Sequence, residues 1–270
     1  MKNLFVLAGA AWLLGCGGGG GNAGNPPMPG DPQDPGGFGR YPTSFPLPDN
    51  TGASTYRVLL IGNSHAGNLY PALTQLLDLG QPDKTIDVQL SPGFGFLVDR
   101  VGDGVTAPAL ESQPWTQVIL QGQMYSTTGM NSYPTDAAEY WIRGTKQQGA
   151  TSIMFPEHPR RGNTWEGRTL WELHTGIATR ENTCVAPVGL VWDEVIFRAP
   201  HLILHDPDGN HASKLGAQLS ALVFYPIITG EPVESLPDLS SIGIDAATEE
   251  IMKQSVSSIL FTHQACRYGE

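Results

Sequence analysis

The chain has 270 residues, 40% of them hydrophobic, which is enough to bury a substantial core and marks it as globular rather than disordered. A formal charge of −11 and an isoelectric point near 5.0 argue against nucleic acid as a partner, because displacing counterions from a polyanion needs clustered Lys and Arg.

Lys2 and the apolar run at 4–14 form a positive tip and a hydrophobic stretch too short to span a bilayer as a stable helix, so residues 1–15 read as a signal peptide. The run Leu13-Leu14-Gly15-Cys16 resembles the lipobox of bacterial lipoproteins, which implies cleavage before Cys16 and its acylation as a membrane anchor. Residues 17–50 are rich in Gly, Pro, Asn and Asp and show little periodicity. The expected organisation is therefore a flexible tether over 16–54 and one folded domain over 55–270.

From Tyr56 onward, apolar runs alternate with amphipathic segments. Strands are predicted at 57–62, 85–90, 116–121, 151–155 and 184–188. Helices are predicted at 68–79, 135–148, 165–181, 211–228 and 246–262. This βαβα order predicts a three-layer α/β/α sandwich with a mainly parallel five-stranded sheet, whose functional loops leave the C-terminal strand ends.

The first strand ends in Gly62-Asn63-Ser64-His65, a turn into a helix. There a serine can offer its hydroxyl as a nucleophile and its backbone amide to an oxyanion, although Ser and Asn also cap helices. Near the other end stands Asp208-Gly209-Asn210-His211. An Asp three residues before a His can fix the imidazole tautomer and stabilise the imidazolium that activates a serine. Ser64, His211 and Asp208 are thus the candidate nucleophile, base and orienting acid.

On these two blocks the chain resembles the SGNH, or GDSL-like, hydrolase family over roughly residues 56–230. Asn63 stands where Asp is commoner, and Gly216 continues the family's last block. The resemblance implies an oxyanion hole built from the amides of Ser64 and a glycine after the second strand, Gly95 or as a fallback Gly93, with a side-chain amide from the third strand end. The family's Asn falls on Gln123, with Gln121 as the alternative; Gln carries the same donor on a longer stem. The activity implied is ester hydrolysis without metal or organic cofactor, on an acyl ester such as that of an envelope or extracellular carbohydrate. Acyl transfer to a polysaccharide is the alternative, suggested by Gly-Asn-Ser-His. The altered third block also allows a non-catalytic surface binding lipoprotein.

The remaining candidates are plainer. Cys184 and Cys266 either pair as a disulfide or remain free thiols. His65 is a helix-start polar residue on its own merits. Glu157, His158, Arg160 and Arg161 follow the fourth strand, where they either shape specificity or sit as solvated loop charges. Trp165 belongs to the core or lines a sugar site. His201 and His205 have metal-pair spacing only if helical, and Leu202-Ile203-Leu204 reads as extended, so no metal site is expected. The Asp206-x-Asp208-Gly209 run lacks the glutamate of a calcium loop.

Overall fold

Five parallel strands build the sheet: β1 (Thr55–Ile61), β2 (Thr85–Leu90), β3 (Gln117–Gln121), β4 (Thr151–Phe155) and β5 (Cys184–Val185). Their order is β2-β1-β3-β4-β5 in the computed structural model, which describes residues 38–269. The expected signal peptide and the expected anchor Cys16 fall outside the described residues. Because β1, β3 and β4 are covered on both sides, alternate residues serve different cores. Val58, Leu60, Ile119 and Ile153 face α1 (Ser64–Gly80), α6 (Val188–Arg198), α7 (Lys214–Thr229) and α8 (Ala246–Thr262). Leu59, Ile61, Val118, Leu120 and Met154 face the opposite layer, where α2 (Leu97–Arg100), α3 (Thr106–Leu110), α4 (Asp136–Gln147) and α5 (Glu166–Ala178) pack. Each such Leu or Ile, removed from water entirely, contributes about 2 kcal/mol.

The sheet order places a topological switch between β1 and β3, whose chains leave in opposite directions at their C-terminal ends. A crevice opens at such a point in parallel α/β sheets. Ser64 begins α1 at the end of β1, and Gln121-Gly122-Gln123 follows at the end of β3.

The helices α2, α3 and α6 are not among those expected, and several boundaries differ from those expected. The segment expected as tether is already packed on the domain before residue 54. Tyr41 is buried with its ring against Gly144, where an added Cβ would meet it at 2.5 Å, and Leu47 is buried too. The Asn50 side chain donates to the carbonyls of Thr116 and Gly149, both at 3.0 Å. Isolated apolar anchors in a Gly- and Pro-rich stretch are lost when composition is averaged. β5 stops at Val185 rather than 188, because Pro187 has no N–H for a ladder and caps α6, a helix whose Val-rich start reads as strand. The helix expected from residue 211 starts at Lys214, with the Ser213 hydroxyl accepting from the Gly216 amide at 3.2 Å. His211 therefore lies in a loop. The first helix begins earlier than expected, at Ser64, with Asn63 as its cap.

Cys184 and Cys266 are joined by a disulfide across 82 residues of sequence. It ties the segment after α8 to the edge strand, where the Val185 amide also donates to Ala265 O at 2.8 Å.

Candidate active site

The nucleophile turn is assembled by the core beneath it. Val58, Leu60 and Ile61 are fully buried and carry β1 straight to Gly62, where an added Cβ would meet the Gln121 side chain at 2.5 Å. Glycine is therefore needed for close approach to β3. Asn63 is extended, at φ −112°, and its Oδ1 accepts from the His65 amide at 3.1 Å. Ser64 is the first helical residue, so its amide has no intrahelical acceptor and stands at the positive end of α1.

Ser64 Oγ lies 2.7 Å from His211 Nε2, and His211 Nδ1 lies 2.5 Å from Asp208 Oδ2. The other carboxylate oxygen, Oδ1, accepts from the amides of Asn210 at 2.9 Å and His211 at 3.0 Å. The bond from the His211 ring, followed by these two amides, holds the Asp208 carboxyl far below the ordinary carboxylate range. It is thus an anion able to orient Nδ1–H and leave Nε2 free to accept the serine proton.

The expected oxyanion donors are not where the alignment puts them. Gln123 donates its side-chain amide to the carbonyls of Met124 at 2.9 Å and Pro134 at 3.1 Å, so it does not face Ser64 as an oxyanion donor. The cause is Gly122, whose φ of +96° turns the chain after β3. Gln121 is not the substitute. Its Oε1 accepts from the Asn63 amide at 2.8 Å and its Nε2 donates to Glu157 Oε2 at 2.8 Å, which makes it a brace under the turn. The Gly95 amide points at Gly62 O, at 3.4 Å, rather than standing free for a substrate. Gly93 has φ +76°, and its carbonyl accepts from Arg100 at 2.8 Å. Of the expected donors, the Ser64 amide is the one whose placement at a helix start suits the task.

Arg100 was not legible as a site residue. Buried to 2% exposure, its guanidinium donates to Gly62 O at 2.8 Å, to Gly93 O and to Pro92 O, tying the loop after β2 to the nucleophile turn. Burial lowers its pKa, yet an arginine stays protonated.

His65 is buried directly behind the base. Its ring stacks on His211 with centroids 5.1 Å apart and meets His158 edge-on at 5.2 Å, while its Nε2 is 3.9 Å from Glu157 Oε2. His158 and His205 are also buried, stacked and edge-packed around Trp192. Glu166 is fully buried, yet it pairs with Arg160 and accepts from the Tyr125 hydroxyl at 2.9 Å. Among the described residues no group of three or more His, Cys, Asp and Glu is placed to hold a metal ion. His201 is exposed, and His205 Nε2 donates to Pro159 O.

Beside Asp208 opens a cleft of about 590 Å³, lined by Arg160, Arg161, Asn163, Trp165, Gly209 and Asn210, among others. Trp165 is 45% exposed on its wall rather than part of the core.

The fold and this array define an α/β sandwich with a Ser-His-Asp chain at its switch point. No family model and no curated protein matches the sequence. Solved structures do match. A DUF4886 family protein from Bacteroides uniformis superposes with TM-score 0.62 at 14% identity, covering 80% of this chain and 98% of that one. A protein described as a candidate SGNH hydrolase from Slackia heliotrinireducens is 22% identical, with TM-score 0.49 over 63% of this chain and 97% of that one. TesA gives 0.45 at 13% identity, over 66% and 99%. At these identities the likeness is one of fold.

Proposed function

We propose that this protein is a serine ester hydrolase of the SGNH type. The observation that carries the reading is the hydrogen-bonded chain from Ser64 Oγ to His211 Nε2 at 2.7 Å and from His211 Nδ1 to Asp208 at 2.5 Å. Ser64 attacks the acyl carbonyl as His211 takes its proton, the Ser64 amide and the α1 dipole stabilise the oxyanion, and His211 returns the proton to the leaving alcohol. Water, deprotonated by the same imidazole, then frees the acyl-enzyme.

The alcohol part fits the cleft on the Asp208 side, where the Trp165 face and the polar Asn163 and Asn210 suit a carbohydrate ester. The lipobox-like run ending in Cys16 supports export and a lipid anchor, which would set this activity at the cell envelope. The same openness admits a second sugar as acyl acceptor in place of water, so acyl transfer is the alternative. Partition of the acyl group between water and an added oligosaccharide decides between them.

The direct test is Ser64→Ala assayed on p-nitrophenyl acetate. Turnover should fall by about 10⁴-fold or more, with the circular dichroism spectrum unchanged. Retention of wild-type turnover would remove Ser64 as nucleophile.

A further inference from the structure

We propose that the loop after β4 is a clamp that aligns the acid and base, with His158 its chief positioning residue and Arg161 its second. The proposal rests on the serine-hydrolase reading above. Asp208 and His211 stand on an exposed hairpin tip, which the bridge between His205 and Ala212 closes. Such a tip has little apolar burial to fix it. Its backbone carbonyls instead accept hydrogen bonds from residues 158–161. The His158 imidazole donates Nε2–H to Asn210 O at 2.9 Å, and the Arg161 amide donates to Gly209 O at 2.8 Å. The Arg161 guanidinium donates to the carbonyls of His205 at 3.2 Å, Pro207 at 3.5 Å and Asp206. His205 returns a bond from Nε2 to Pro159 O at 2.7 Å.

The consequence for chemistry follows from peptide geometry. In a trans peptide the carbonyl and the next N–H point in opposite directions. Pulling Gly209 O toward Arg161 therefore aims the Asn210 N–H the other way, and pulling Asn210 O toward His158 does the same for the His211 N–H. Those two amides are the ones that hold Asp208 Oδ1. The clamp thus reaches the carboxylate, and through it the imidazole, without touching either.

His158 suits this work. It is buried, its ring lies flat on Trp192 with centroids 3.9 Å apart, and Trp192 itself is fixed by its Nε1 bond to Ser220 at 3.0 Å. Burial, followed by the neighbouring His65, keeps His158 neutral, well below the usual histidine range. An Nε2–H facing a carbonyl sets its tautomer, leaving Nδ1 without a partner among the described residues.

The test compares His158→Phe, which keeps the stack but deletes the donor, with His158→Gln, which restores an N–H donor, and with Arg161→Met. His158→Phe should lower kcat for p-nitrophenyl acetate by about 10- to 100-fold with little change in KM, the size found when the outer hydrogen-bond partner that orients a metal-ligating histidine is lost. The rising limb of its kcat/KM profile should move to lower pH, and the downfield proton resonance of His211 Nδ1–H should weaken or shift. His158→Gln should recover much of the loss, and Arg161→Met should show a smaller version of it. A folded His158→Phe variant with wild-type kcat and pH profile would overturn the proposal. So would lost activity in both variants with the profile and resonance unmoved, since that pattern marks a merely structural role. Should His158→Phe not fold, Arg161→Met decides by the same readouts. Ser64→Ala is run alongside: if it retains activity, the serine reading fails, whatever the clamp variants do.

Discussion

The two loops that carry the proposed reaction are both held by an arginine bonded to their backbone carbonyls, but in opposite settings. Arg100 is 2% exposed and ties Gly62 to Pro92 and Gly93 beneath the nucleophile turn. Arg161 is exposed and ties residues 205–207 at the rim of the open cleft. Ser64 therefore rides on the core, fixed by β1, by α1 and by the Gln121 brace. Asp208 and His211 ride on a hairpin tip held almost wholly by polar cross-links. A nucleophile set by packing and a base set by hydrogen bonds should respond differently to mutation.

Arg100→Met should give the largest effect. It removes the buried donor that lies 2.8 Å from Gly62 O, frees the carbonyls of Pro92 and Gly93 in the loop after β2, and strands Asp103, whose carboxylate lies 3.7 Å from the guanidinium. We expect a loss of about 3–5 kcal/mol in urea unfolding. The matching change at Arg161 should cost about 1 kcal/mol or less in stability, because water can reach the freed carbonyls, so its effect is read in kcat. Equal destabilisation by the two substitutions would erase the contrast.

Asp193 gives a smaller effect that sharpens it. The residue sits on α6 against Gly167 of α5, and burial raises its carboxyl to about 6 even though Arg168 pulls it down. Its folded pKa lies above the unfolded value of about 3.9, so the folded state holds the extra proton between the two. Stability from this group is complete below pH 4 and lost as pH rises through 6. Asp193→Asn should therefore stabilise the protein at pH 8 by about 1 kcal/mol, after allowance for its partial exposure, and do nothing at pH 3.5. Thermal melts at both pH values check this. Turnover should not change, because Asp193 belongs to the packed layer and not to the hairpin tip.

The same contrast explains what could be read in the sequence. The apolar runs of β1, β3 and β4 announce themselves because burial on both faces demands them. Gly-Asn-Ser at the end of β1 and Asp208 three residues before His211 are local patterns; spacing suggests that Asp208 meets His211, and the chemistry of a serine that needs a base, with the family resemblance, suggests that they meet Ser64. Arg100, Arg161 and His158 were not legible in these roles, since their partners are backbone carbonyls. Every residue has a carbonyl, so such a partner leaves no mark in the sequence. Gln123 failed for a related reason: its direction depends on the positive φ of Gly122, which a residue-by-residue alignment of strand ends does not carry. The whole of α6 is absent from the expected helices, because Val and Leu before a Trp fit a strand and a buried helix equally well.

The central claim is that Ser64 is an activated nucleophile whose activation comes from His211. The measurement that meets it most directly is the intact mass and peptide map after treatment with a fluorophosphonate, which reacts readily only with an activated serine. The wild-type protein should gain one phosphonyl adduct, located on Ser64, at a rate that collapses in His211→Ala. No adduct on Ser64, or one that forms as fast without His211, would contradict the account.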